Sequence, residues 1–135
     1  YMSLMLVQYQ GNLRTRVLHV DSKNTIITDA PKDNQGNGGA FSPTDLVATA
    51  LGSCMVSIMA IKSKDLEVDL KDSTVSITKI MQAEPRKIAK IVVVLDMAIE
   101  TSEKNRTILE RSAMTCPVLL SLHPDIEKEV IFNWK

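Results

Sequence analysis

The spacing of apolar residues along this chain changes period several times, and each change marks an element. Residues 4–10 and 13–20 set bulky and β-branched residues in partial alternation with polar ones around Gly11 and Asn12, which predicts two strands joined by a tight turn. Residues 21–24 supply the next turn and residues 25–31 a short third strand. The segment 32–41 then collects Gly, Asn and Asp in the manner of a loop. Ser42 and Pro43 read as an N-cap and a first helical position, opening a helix that runs to Asp65. Its middle is uncharged nearly all round, so neighbours are expected on every face.

Two long strand-like runs follow, residues 72–83 and 87–99, separated by Glu84, Pro85 and Arg86 and most simply paired antiparallel. The second is apolar enough to be a central strand. Ser102 can cap a helix over 103–115 whose apolar stripe is Ile108, Leu109 and Ala113. Pro117 would open a short further helix, and residues 125–135 close the chain as an amphipathic strand. Strands, long helix, strands, helices, strand is an α+β order and not a run of βαβ units. With no repeat or linker in sight, residues 1–135 read as one domain.

Composition narrows the function classes. The 135 residues are 44% hydrophobic and 24% charged, with sixteen Lys and Arg against sixteen Asp and Glu, so no global field draws the protein to nucleic acid or an anionic membrane. Aromatic content of 4% leaves little for base stacking. The charge-free apolar stretch from Leu46 to Ile61 is shorter than the roughly 20 residues of a membrane span, and it reads as a core helix. The first residues lack the basic start and small-residue cleavage site of a secretory signal, and Tyr1 ahead of Met2 reads as a cloning remnant. The expected location is the cytoplasm, where paired cysteines rest as thiols and disulfides tend to be transient.

The chain has two cysteines, Cys54 inside the long helix and Cys116 just before Pro117. A lone buried cysteine behaves as a small hydrophobe, and Cys54 lies too far along its helix for the N-terminus to stabilise a thiolate. A reactive Cys54 therefore needs a cation from elsewhere. Cys116 would stand at an N-cap, where free backbone N–H groups favour the anion, so that geometry alone makes it the easier thiolate. No CxxC is present, and His19 and His123 sit in unrelated contexts, so no metal site is expected; His123, before Pro124, reads as a turn residue. Candidate cations are Arg14 and Arg16, which flank Thr15 and share one side of a strand. Asp45, in the first helical turn, could hold an arginine or simply complement the helix dipole.

Taken together, "FSPTDLVATALGSCM" and "MTCPVLLSLHPDI", in this order, resemble the OsmC/Ohr family of osmotically inducible and organic hydroperoxide resistance proteins, within its OsmC-like branch. The likeness covers almost the whole chain. It implies an intertwined homodimer in which antiparallel sheets wrap two long central helices and each active site draws on both chains. It also implies a thiol peroxidase that needs neither metal nor cofactor. Cys54 attacks an organic hydroperoxide, Cys116 resolves the sulfenic acid into a disulfide, and an external dithiol or lipoyl-type reductant restores both thiols. Arg14, with Arg16 as the alternative, holds the thiolate. Thr44, Val47, Leu51, Met55 and Ile58 are the expected pocket around Cys54, favouring alkyl or lipid hydroperoxides. Where the better-known reductases carry an acidic residue that pairs with the arginine, this chain has Thr44; Asp45 comes next, turned by about 100° around the helix. A binding protein that carries a hydrophobic or thiol-reactive ligand at the dimer interface, and a structural dimer with inert cysteines, are the alternatives.

Overall fold

The computed structural model describes residues 2–135, so the reading of Tyr1 lies outside the described residues. Contacts divide them into two compact units, one up to Leu46 and the other Val47–Lys135.

The first unit is a three-stranded antiparallel meander of β1 (Met5–Gly11), β2 (Arg14–His19) and β3 (Thr25–Asp29). Gly11 faces Arg14 across the first turn, and the two residues between them, Asn12 and Leu13, both have positive φ (54° and 62°). That is the backbone of a type I′ turn, whose twist matches that of the flanking strands. Leu13 adopts it with its N–H held by the Tyr9 hydroxyl and its carbonyl by the Ala30 N–H. The β2–β3 register places Arg14 directly opposite Asp29. Met5, Leu6, Val7, Tyr9, Ile26 and Ile27 remain exposed.

The long helix α1 (Pro43–Asp65) starts from a reciprocal cap. The Asp45 N–H donates to Ser42 Oγ at 3.1 Å, and the Ser42 N–H donates to Asp45 Oδ2 at 2.9 Å. Two backbone donors with no intrahelical partner are thus satisfied by one short motif, an aspartate standing where the capping box usually has Glu or Gln.

In the second unit β5 (Lys87–Asp96) is the central strand, flanked by β4 (Thr74–Gln82) and β6 (Glu127–Asn133). β4 pairs with it antiparallel and β6 parallel. The parallel pair departs from the antiparallel expectation. The chain leaves β5 through α2 (Glu103–Ala113) and α3 (Pro117–Ser121), and this crossover returns β6 in the direction of β5. Ile91, Val93 and Leu95 of β5, Leu51, Met55 and Met59 of α1, and Leu109 and Ala113 of α2 are fully buried and belong to one core.

α1 meets the sheet through a glycine. A Cβ at Gly52 would lie 2.5 Å from Ile77 Cδ1 and 2.9 Å from Val75 Cγ1, both on β4, so only glycine lets the backbone come this close. By length and composition α1 could cross a membrane, with 23 residues and a mean hydropathy of 1.7. In this fold one stripe of it, Ala48, Leu51, Gly52, Met55, Met59 and Ser63, is buried. In the single chain Val47 and Ile61 stay 40% and 64% exposed.

Candidate functional site

Cys54 and Cys116, remote in sequence, share the core of the second unit. Cys116 is fully buried, while Cys54 is half-buried and packs against the same cluster. Both are free thiols. Cys116 sits at the N-cap of α3 as the Cys-Pro pair predicts, with its Sγ accepting the Leu119 N–H at 3.3 Å.

Its acidity runs against the expectation. Burial pushes the Cys116 thiol up from its ordinary value and the neighbouring Cys54 thiol adds to this, outweighing the lowering by the Leu119 and Val118 N–H groups. Desolvation penalises the charged form of a fully buried group, whereas a five-residue helix offers only a weak terminal field. Cys116 is therefore held as a neutral thiol. Cys54 is the less buried of the two cysteines.

The arginines lie in the first unit. Arg14 and Arg16 alternate onto one face of β2, and Arg16 is exposed. Arg14 engages Asp29 side-on, Nε to Oδ1 at 2.7 Å and Nη2 to Oδ2 at 2.9 Å. The Asp29 carboxylate is 1% exposed and also accepts the Gly39 N–H at 2.9 Å. The Arg14 hydrogen bond, helped by its charge and the Gly39 N–H, draws the Asp29 carboxyl below its usual range against the opposing effect of burial, and Asp29 in turn raises Arg14. Asp45, expected as a holder of the arginine, makes the capping interactions with Ser42 described above.

Of the expected pocket residues, Leu51 and Met55 are fully buried in the core, Thr44 and Ile58 are half-buried and Val47 is exposed. A cavity of about 560 Å³ beside the C-terminal half of α1, bounded by Val56, Ala60, Lys64, Leu70 and Ser73, contains neither sulfur. His123 Nδ1 accepts the Asp125 N–H within a turn.

Asp29 and Gly39 were missed by the sequence reading. The signal lay in the meander itself: with both turns tight, the last residue of "TIITD" falls opposite the first of "RTRVLH".

A family model described as OsmC-like protein matches residues 36–130. The chain belongs to this OsmC-like family. Among solved structures, an osmotic stress induced and detoxification response protein from Psychrobacter arcticus 273-4 is 47% identical to it over 98% of this chain and 97% of that one, with a TM-score of 0.94. Two more distant structures share the OsmC fold. One is an organic hydroperoxide resistance protein OsmC from Legionella pneumophila, 15% identical over 98% and 97% of the two chains with a TM-score of 0.78. The other is an organic hydroperoxide resistance protein from Vibrio cholerae with captopril in one of its active sites, 19% identical over 98% and 92% with a TM-score of 0.76. Comparison with curated protein sequences finds no match.

Proposed function

We propose that this OsmC-like protein is a cytoplasmic, cysteine-based peroxidase that reduces organic hydroperoxides to alcohols without metal or cofactor. The observation that carries the proposal is the pair of free thiols in one core, the partly open Cys54 beside the buried Cys116. The family and the hydroperoxide resistance named for two of its fold relatives support it.

The Cys54 thiolate attacks the outer oxygen of ROOH. The O–O bond breaks, RO⁻ takes a proton and leaves as alcohol, and Cys54 becomes a sulfenic acid. Cys116 then attacks that sulfur; its proton departs with the hydroxyl as water and a Cys54–Cys116 disulfide remains. A dithiol or lipoyl-type reductant restores both thiols by exchange. The difference in burial supports these roles: in this reading an oxidant meets the half-buried Cys54 first, while the buried, neutral Cys116 is kept from direct oxidation. Arg14 is assigned as the cation that holds the thiolate, with Arg16 as the alternative. Thr44, Val47, Leu51, Met55 and Ile58 are assigned to the substrate wall.

The protein works as a homodimer in this proposal. Its support is the apolar surface that a single chain leaves open on α1 and β1, Val47, Ile61, Leu6 and Val7 among it. The test is consumption of cumene hydroperoxide with dithiothreitol. Wild type turns over, Cys54→Ser does not, and equal rates for the two would end the proposal.

A further inference from the structure

We infer that Asp29 is the positioning residue of Arg14, fixing the guanidinium that the proposed peroxidase uses, the task expected of Asp45. The inference rests on that functional reading.

An exposed arginine ordinarily samples many rotamers and loses that freedom whenever it engages a ligand. Arg14 has lost it already. Its side chain is 42% exposed, yet two parallel hydrogen bonds tie Nε and Nη2 to a carboxylate that is 1% exposed. Such side-on pairing fixes the plane of the guanidinium as well as its place. Strand register does part of the work, since Arg14 and Asp29 are direct partners across β2 and β3.

Asp29 also gathers the glycine-rich segment. Its Oδ2 accepts the Gly39 N–H, and its own N–H donates to the Phe41 carbonyl at 3.0 Å. A Cβ at Gly39 would sit 2.9 Å from Asp29 Oδ2 and 3.3 Å from Arg14 Nη2, so the clamp needs glycine there. Nη1 is left with no hydrogen bond among the described residues, on a side chain that lines a cavity of about 290 Å³ with Gln10, Gly11, Asn12 and Asn37. The clamp holds two nitrogens of the guanidinium and leaves the third free to serve.

The sign of one substitution separates positioning from simple counter-charge. Asp29 subtracts from the positive field of Arg14, so a mere counter-charge, once removed, would make Cys54 more acidic and faster. Loss of a positioner makes Cys54 less acidic and slower.

The experiment measures the pH dependence of Cys54 alkylation by iodoacetamide, and its single-turnover oxidation by cumene hydroperoxide, in a Cys116→Ser background. Asp29→Asn is expected to raise the apparent pKa of Cys54 and slow oxidation several-fold, in the direction of Arg14→Ala but by less. An unchanged or lowered pKa in Asp29→Asn, with Arg14→Ala impaired, overturns the inference alone. An Arg14→Ala variant that reacts like wild type overturns it together with the role of Arg14. Should alkylation shift as expected while no variant, wild type included, reduces peroxide, the inference stands and the peroxidase reading falls. If Asp29→Asn does not fold, Gly39→Ala carries the test, since it keeps every charge while crowding the clamp; wild-type Cys54 reactivity in folded Gly39→Ala overturns the inference.

Discussion

Replacing Gly52 by alanine sets two measurable effects against each other at the joint between α1 and the sheet. Alanine favours an α-helix over glycine by about 1 kcal/mol. Against that, the new methyl would lie 2.5 Å from Ile77 Cδ1 and 2.9 Å from Val75 Cγ1, where ordinary contact begins at 3.4 Å. Closing a deficit of roughly 1 Å forces Ile77 and Val75 off their positions or the helix off β4, and overpacking of this kind costs about 1 to 3 kcal/mol. The clash wins. Gly52→Ala should be destabilised by about 1 kcal/mol net, a fall in Tm of about 3 to 6 °C for a chain of this size. Ser53 is exposed on the same helix, so Ser53→Ala isolates the propensity gain. Thermal unfolding followed by circular dichroism on the three proteins decides it. A Gly52→Ala protein as stable as Ser53→Ala would refute the close approach of α1 and β4. Because Cys54 follows two residues later, the same variant should also alkylate at an altered rate.

Cys116→Ser retains an N-cap acceptor for the Leu119 N–H and should fold with stability within about 1 to 2 kcal/mol of wild type. It should lose turnover with a dithiol while its Cys54 sulfenic acid becomes trappable by dimedone, read by mass spectrometry. The Asp29 carboxyl is drawn below 3.8 in the folded state, so the unfolded chain binds its proton first as pH falls. The stability it lends is present above its unfolded value and lost as pH drops through the folded one, and acid titrations should show less of this loss in Asp29→Asn. Cys116 is shifted the other way, upward from 9.0, so stability is intact below pH 9 and declines as pH rises through and beyond that value. Alkaline unfolding should therefore be milder in Cys116→Ser.

Local chemistry was legible in the sequence wherever one short segment decides its own structure. Ser42 and Pro43 announced α1, Cys116 and Pro117 announced α3, and the run of residues 91–95 announced a central strand. The turn after Gly11 was placed within a residue, its centre falling on Asn12 and Leu13 because the strand pairing accommodates a bulge near Tyr9. What pairing and burial decide was harder to see. The parallel placement of β6 depends on how α2 and α3 cross the sheet, which no pattern within β6 records. Asp29 looked like the end of a strand until the register put it against Arg14. Cys116 shows the same limit in its chemistry: the N-cap was visible in two letters, but the core that closes over it draws on α1, β5 and α2 at once.

The central claim, that Cys54 and Cys116 form one redox couple, is tested most directly by adding one equivalent of cumene hydroperoxide to the reduced protein and mapping its peptides without reductant. The account predicts a Cys54–Cys116 bridge within each chain and no remaining free thiol. Two unmodified cysteines, or a Cys54 carried to sulfinic acid beside an untouched Cys116, would contradict it.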